Sequence, residues 1–256
     1  MNRIAHVSAF IMIGAMNAAA LAAGVDAAPS IQQVLKADQA ASGGASLGAA
    51  VRNTYSFEGM GLKGKLSSLT DPRDGRYVDD LALGSGGAAS GYDGAHAWVV
   101  DKSGAAGRRS LEERPRWAVN EAYRRANTWW RVDRGGAVIV SEGIRIGSGG
   151  SFDVLTVTPK GGGPFEAWFD TTTHFLARTI ERRETETVTT SYLDYRSVAG
   201  LMQAQKIVVD DGSGSENVET MTLIQTDFSE VAPPSAFTRP KTLLARSKPA
   251  TANAEP

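Results

Sequence analysis

The sequence contains no cysteine among its 256 residues, which excludes disulfide bonds, thiolate metal sites and a lipid attached to a cysteine. Histidine is also scarce, with three residues, and neither His96 nor His174 stands in an H-x-x-x-H or H-x-H spacing. No metal site or nucleophile triad is therefore expected. The 27 basic and 28 acidic residues nearly cancel, which leaves no basic footprint for nucleic acid. We expect a chain without cofactor or metal that is stabilised by its packed core alone.

Long apolar runs are equally scarce, and the run near the N-terminus is short. Residues 1–22 carry Arg3, then apolar residues interrupted by Asn17, then Ala20-Leu21-Ala22, which meets the small-residue rule for signal peptidase. We therefore expect export with cleavage near Ala22 and no stable membrane anchor. At the other end, residues 241–256 have no apolar period and are predicted to be a disordered tail or linker.

The domain expected between these ends, residues 23–240, is dominated by β-strand patterns. Residues 165–209 contain four successive runs with period-2 alternation, β-branched and aromatic residues and short polar turns, which predicts an antiparallel meander. The whole domain should hold about ten or eleven strands, and Trp129-Trp130-Arg131 is predicted to continue the sheet. Two segments with helical period interrupt it, one behind a Ser30 cap and one over residues 115–127, where Glu121 pairs with Arg125.

Several motifs suggest chemistry that their context does not support. Residues 59–66 satisfy G-x-G-x-x-G, but Leu66 stands where a phosphate loop needs Ser or Thr, and Pro72 follows too soon for a helix. A glycine-rich strand is the better interpretation. Asp170-Thr171-Thr172 differs from the D-T-G of aspartic peptidases by Thr172 in place of glycine, and it is predicted to be a turn.

The remaining charged groups are interpreted as solvated. Acidic pairs such as Asp79-Asp80 are more typical of turns than of acid/base catalysis. Arg178, Arg182 and Arg183 are interleaved with Glu181, Glu184 and Glu186 and are predicted to form the wet face of a strand pair. With no catalytic constellation in sight, the chain is not expected to be an enzyme.

The order of the elements is a further observation. It consists of an exported helix, strands with Asp74-Gly75-Arg76-Tyr77, then Gly91-Tyr92-Asp93-Gly94 and Trp98, a second helix, the run at residues 165–169, and the segment 194–200. This order resembles the LolA-like domains of Gram-negative periplasmic proteins over nearly all of residues 30–240. It is most similar to the variant that precedes retropepsin-like aspartic peptidase domains, where an exit such as Phe237-Thr238-Arg239-Pro240 leads on to the peptidase.

The resemblance implies an α+β fold, mainly antiparallel β: a strongly curved, incomplete β-barrel whose apolar concave side is covered by helices. In the outer-membrane lipoprotein carriers of this superfamily, that cavity shelters acyl chains. The implied function is a periplasmic, non-catalytic binding module for an apolar ligand, either a lipid or a lipoprotein acyl chain. Two alternatives stay open: an accessory N-terminal domain of an aspartic peptidase system, with the peptidase downstream, or a packed scaffold without ligand.

Side-chain parity selects the residues expected to line such a cavity. In each strand, the chosen residues share a side with other apolar residues, and a half-barrel turns its apolar side inward. Trp168 has the opposite parity in its strand, so the assignment there depends on which face is buried. The predicted lining is Trp98, Val100, Ile139, Phe165 and Phe169.

Overall fold

A computed structural model describes residues 28–43, 50–101, 114–230 and 232–239, so the expected leader peptide and C-terminal tail lie outside the described residues. The α-helices are α1 (Ile31–Ser42) and α2 (Arg114–Arg125). The first five strands are β1 (Ala50–Gly59), β2 (Leu62–Thr70), β3 (Tyr77–Leu83), β4 (Gly86–Tyr92) and β5 (Ala97–Asp101). The later strands are β6 (Val138–Gly147), β7 (Gly150–Thr158), β8 (Phe165–Asp170), β9 (Leu176–Arg182), β10 (Thr187–Val198), β11 (Leu201–Asp210) and β12 (Glu219–Glu230).

The twelve strands that the structure describes form one antiparallel sheet in the order β5-β4-β3-β2-β1-β12-β11-β10-β9-β8-β7-β6. The chain runs outward from β1 to β5 and then returns from β6 to β12, so β1 and β12 join two meanders. The predicted strands of residues 165–209 are confirmed as β8 to β11. The G-x-G-x-x-G segment is a hairpin, because Gly59 ends β1 and Leu62 begins β2 after a turn at Met60 and Gly61.

The sheet is open at β5 and β6 but strongly curved. Ala88 of β4 and Phe169 of β8 border the same cavity, although eight strand-to-strand steps separate their strands in the sheet order. Eight spacings would amount to about 38 Å in a flat sheet. The sheet must therefore wrap around its interior as an incomplete barrel, as expected.

Helix α1 has the predicted start. The Ser30 Oγ accepts a hydrogen bond from the backbone N–H of Gln33, while the Ser30 N–H donates to Gln33 Oε1 at 2.8 Å, which makes a capping box. Gly43 ends the helix at a φ of +73°. A Cβ at this position would lie 2.7 Å from the Gly200 carbonyl oxygen, so glycine permits both the left-handed turn and the close approach.

The prediction of a strand at Trp129-Trp130-Arg131 is wrong: Asn127–Trp130 is a short 3-10 helix. Alternation in a strand would point the two adjacent tryptophans to opposite faces. In the 3-10 turn both contact the interior instead. Trp129 packs against Tyr123 with ring centroids 5.2 Å apart, and the Trp130 Nε1 donates to Asp38 of α1 at 2.9 Å. Tertiary packing therefore overrides the local pattern.

The main core lies between the helices and the β7–β8 half of the sheet. Its buried members come from α1, from α2 and the segment after it, and from the two strands: Val34, Leu35, Tyr123, Trp129, Leu155, Val157, Phe165, Ala167 and Phe169. Phe152, Val154 and Trp168 form a separate cluster on the opposite face, as alternation along β7 and β8 requires. The helix-facing side is therefore the side of Phe165 and Phe169.

Candidate binding cavity

A cavity of about 660 Å³ lies between the concave face of the sheet and the helical segments. Strands β1 to β4 and β8 to β12 contribute lining residues from one side, and α1, α2 and the 3-10 helix with Trp129 contribute from the other. Small-molecule sites occupy about 300–1,000 Å³. The volume is therefore large enough for a small organic ligand or one chain of a lipid.

Much of the cavity wall is apolar. The apolar lining comes from both meanders and from the tryptophans that follow α2: Val51, Phe57, Leu66, Leu81, Trp129, Trp130, Phe169, Leu176, Val188, Met202, Ile207, Val209 and Met221. Residues of β11 are only half-buried, which is unusual for apolar side chains on the concave side of a sheet. Such a surface favours burial of an apolar partner.

A band of paired charges crosses this apolar wall where α2 meets the sheet. The Arg125 guanidinium donates to both oxygens of Asp79 on β3, at 3.0 and 2.8 Å, and to Glu121 Oε1 at 2.6 Å. Its Nη1 also donates to Ser68 Oγ at 3.1 Å, and its Cζ lies 4.2 Å from the centre of the Tyr77 ring. Arg125 therefore fastens α2 to β2 and β3 by charge and stacking.

Glu121 holds a second guanidinium in the same band. Its Oε2 accepts from Arg124 Nε at 3.0 Å and from Nη2 at 2.7 Å, and Arg124 Nη1 lies 3.8 Å from the Glu181 carboxylate. Burial by itself raises the pKa of Glu121, but the charges of Arg125 and Arg124 and their hydrogen bonds lower it to about 2. This carboxylate therefore stays ionised under all physiological conditions.

Two carboxyl groups of the lining have no arginine partner within the part of the chain that the structure describes. Burial raises the pKa of Asp38 to about 6, although the Trp130 indole and the Leu176 backbone hydrogen-bond to the carboxylate. Burial also raises the pKa of Glu219 on β12, with the charge of Asp211 adding to the effect. The cavity thus combines a balanced ion-pair band with a small surplus of acid.

The structure places the predicted lining residues at different sites. Phe169 borders the large cavity, and it is 2% exposed because it packs edge-to-face under Trp129. Phe165 lies in the same core cluster, and Ile139 packs against that cluster. Neither Phe165 nor Ile139 is part of the lining of the large cavity.

The parity assigned to β5 is reversed. Residues paired across neighbouring strands point to the same face of the sheet. Trp98 pairs with Gly91, Gly91 pairs with Val78, and Val78 pairs with Leu69. Val78 and Leu69 pack against Phe237 on the face opposite α2, and the Trp98 Nε1 donates to the Phe237 carbonyl at 2.9 Å. Val100 shares this outward parity. The C-terminal 3-10 helix Pro234–Phe237 covers this outward face. The residues on it are therefore apolar even though they do not face the cavity.

Two charge assignments need correction for the same physical reason. Asp79 is a strand residue in the ion-pair band, whereas the sequence pattern suggested a solvated turn. Glu181 is buried and accepts from Asn120 of α2 and from Arg183, so that part of β9 is not a wet face. Arg178 stacks over Trp168 with its Cζ 4.0 Å from the ring centre. Glu181 is buried, and Asp79 and Arg178 are half-buried, because side chains from α2 or from the neighbouring strand cover them.

The sequence pattern identified Glu121 and Arg125 as a helical pair but missed their role in the cavity. The partner that explains it, Asp79, is 46 residues away from Arg125. One signal was available: Asp79 and Asp80 stand in a strand, so one of two adjacent acids must point toward the covered face. A covered acid requires a cation, and the helix with Arg124 and Arg125 supplies it.

Other kinds of site find no support in the described part of the chain. No group of three or more His, Asp or Glu side chains that could hold a metal ion occurs there. Asp170 accepts from the backbone N–H groups of Thr172 and Thr173, as expected for a turn. Neither of the two helices that the structure describes has the length and apolar character needed to cross a membrane.

No protein-family model matches the sequence, and no curated protein matches it. Solved structures do match in three dimensions. A LolA superfamily protein from Nitrosomonas europaea gives a TM-score of 0.51 at 10% identity, covering 83% of this chain and 99% of that one. A DUF1329 family protein from Desulfovibrio piger gives 0.50 at 11% identity, covering 81% and 97%. The chain therefore has a fold similar to that of LolA superfamily proteins, which confirms the expected architecture.

Proposed function

We propose that this protein is an exported, non-catalytic binding module of the periplasm that shelters an apolar ligand between its curved sheet and its helices. The observation that carries the proposal is the cavity of about 660 Å³ with its largely apolar lining. Protein interiors are close-packed, and empty spaces much larger than a water molecule are few. A space of this size along half-buried apolar strands is accounted for by a ligand.

The similarity to the LolA superfamily fold supports the same proposal, and a lipid or a lipoprotein acyl chain is the ligand class we favour. The N-terminal pattern of residues 1–22 supports export. Phe169 is the residue of the predicted lining that we keep as a ligand contact. We add Trp129, which packs against it, and Ile207 and Met221 on the sheet.

Binding of the neutral apolar dye N-phenyl-1-naphthylamine tests the proposal. The dye should gain fluorescence with the protein, and lipids with single chains should displace it. Because each buried methylene contributes about 0.8 kcal/mol, two more methylenes should tighten binding by roughly 15-fold until the cavity is full. A protein that binds neither dye nor lipid would be the packed scaffold instead.

Matched variants locate the site. Ile207 lines the cavity and its neighbour Val208 does not, since adjacent strand residues point to opposite faces. Ile207→Trp should fill the cavity and abolish dye binding, while Val208→Trp should leave it unchanged. If both variants lose dye binding equally, or if both keep it, the dye binds elsewhere on the protein.

A further inference from the structure

We propose that the cavity takes an amphiphile whose head group is uncharged and rich in hydroxyl groups, such as a monoacylglycerol, and rejects the fatty-acid carboxylate with the same chain. This inference rests on the proposed function, and it specifies which end of the ligand the ion-pair band accepts. The argument depends on how the charges of the lining are already paired.

The first step concerns Arg125, the cation most favourably placed for an anionic head group. Two of its nitrogens donate to Asp79 and its Nε donates to Glu121, while Ser68 and the Tyr77 ring occupy the rest of its surroundings. An incoming carboxylate would have to displace one of these partners. The displaced carboxylate would then remain in the cavity without a counter-ion, which is unfavourable.

The other two arginines of the lining are paired as well. Arg124 donates through Nε and Nη2 to Glu121 Oε2, and its Nη1 lies 3.8 Å from the Glu181 carboxylate. Arg183 donates to Glu186 at 2.6 Å and to Glu181 at 3.1 Å. The charge of each of these three guanidinium groups is therefore compensated by a carboxylate, and what remains for a ligand is a single N–H group such as Arg183 Nε, which has no hydrogen-bond partner among the described residues.

The surplus charge of the lining is acidic. Asp38 and Glu219 border the cavity and have no salt bridge with an arginine or lysine among the described residues. Their charge would repel a ligand carboxylate inside a space of low dielectric constant. Binding of a cationic head group is also unfavourable, because the head group loses its hydration next to the Arg124 and Arg125 guanidiniums.

An uncharged hydroxylated head group meets none of these costs. The hydroxyl groups of Tyr77, Ser90 and Thr190 belong to residues that border the cavity, and hydroxyls both donate and accept hydrogen bonds. They can pair with glycerol hydroxyls without disturbing the ion pairs. The apolar walls on either side of the band then cover the alkyl chain.

The test compares three ligands with the same alkyl chain as competitors of the dye at about pH 8, where a fatty acid is ionised. The ligands are monodecanoylglycerol, decanoic acid and nonyltrimethylammonium, each of which carries the same nonyl chain. Monodecanoylglycerol should bind at least about tenfold more tightly than either charged ligand. Decanoic acid or the ammonium compound binding as tightly as the glycerol ester would overturn the inference, while the proposed function would stand. Absence of binding by the dye and by all three ligands would overturn the proposed function itself.

A charge variant should weaken this preference. Asp79→Asn removes the carboxylate charge that the two terminal nitrogens of Arg125 face, so decanoic acid should gain at least about tenfold in affinity while the glycerol ester changes little. Asp80→Asn removes the same charge from the adjacent residue, which does not line the cavity, and should change neither ligand. If Asp79→Asn does not fold, Glu219→Gln serves instead, since it removes a surplus acid without touching an ion pair; decanoic acid should then bind about threefold more tightly. Unchanged decanoic acid binding in every folded cavity variant contradicts the inference.

Discussion

The attachment of α2 to the sheet depends on the Arg125–Asp79 pair, and replacing Arg125 by methionine tests that dependence. Methionine keeps much of the volume of the arginine stem but makes none of its hydrogen bonds. The two side chains are 21% and 19% exposed, so the pair is largely withdrawn from water. The substitution leaves the Asp79 carboxylate without its two charge-assisted bonds.

Breaking a buried pair by removing one partner costs about 3–5 kcal/mol. Partial exposure of both groups places our expectation at the lower end, about 3 kcal/mol of lost unfolding free energy. The double variant Asp79→Asn with Arg125→Met should be more stable than Arg125→Met alone by about 1–2 kcal/mol, because the uncompensated charge is gone. Urea denaturation followed by tryptophan fluorescence measures all the variants.

An exposed pair provides the control. Arg131 and Asp133 are also 2.8 Å apart, but their side chains are 57% and 59% exposed. Arg131→Met should therefore cost less than about 1 kcal/mol. The ion pair does not hold α2 in place if Arg125→Met lowers the unfolding free energy no more than Arg131→Met does. The same conclusion follows if adding Asp79→Asn lowers it further.

The other predictions concern the pKa of Asp38, the turn at Gly75, export and the absence of peptidase activity. Asp38 binds a proton more readily in the folded protein, with its pKa raised to about 6, than in the unfolded chain, so its contribution to stability falls as the pH rises from about 4 to about 6. Asp38→Asn should accordingly be more stable than the wild type at neutral pH, by on the order of 2 kcal/mol, and equally stable near pH 4 in thermal melts. Gly75→Ala should cost about 2–4 kcal/mol, because Gly75 has a φ of +76° and an added Cβ would lie 1.8 Å from the Ala122 carbonyl oxygen. Gly61→Ala, at a φ of +71° with no atom within 4 Å, should cost only about 1 kcal/mol in the same denaturation assay. Mass spectrometry of the protein from the periplasmic fraction should find a mature N-terminus near Ala22, and a membrane-retained full-length chain would refute export. The purified chain should show no pepstatin-sensitive cleavage of an unfolded substrate; such cleavage would show that it is a peptidase.

Local patterns in the sequence were sufficient for much of the architecture. The meander of β8 to β11, the capped start of α1 and the turn at Asp170-Thr171-Thr172 depend on contacts between residues close in the chain. Period-2 alternation, a Ser-x-x-Gln cap and an aspartate that accepts from the backbone N–H groups just after it each have a local physical cause. These predictions needed no knowledge of the partner segments.

Only the tertiary structure decided which side of each strand is covered, and by what. Alternation divides Trp98 and Val99 between two faces but does not say which face is concave, and the segment with Phe237 covers the Trp98 side. Likewise, the pattern Glu121–Arg125 predicts a helical pair, yet the role of that pair depends on Asp79, a strand residue far away in the chain. A cavity exists only where the summed side chains fail to fill the space between sheet and helices. That sum is a property of the assembled fold, because packing volume depends on all the surrounding elements at once.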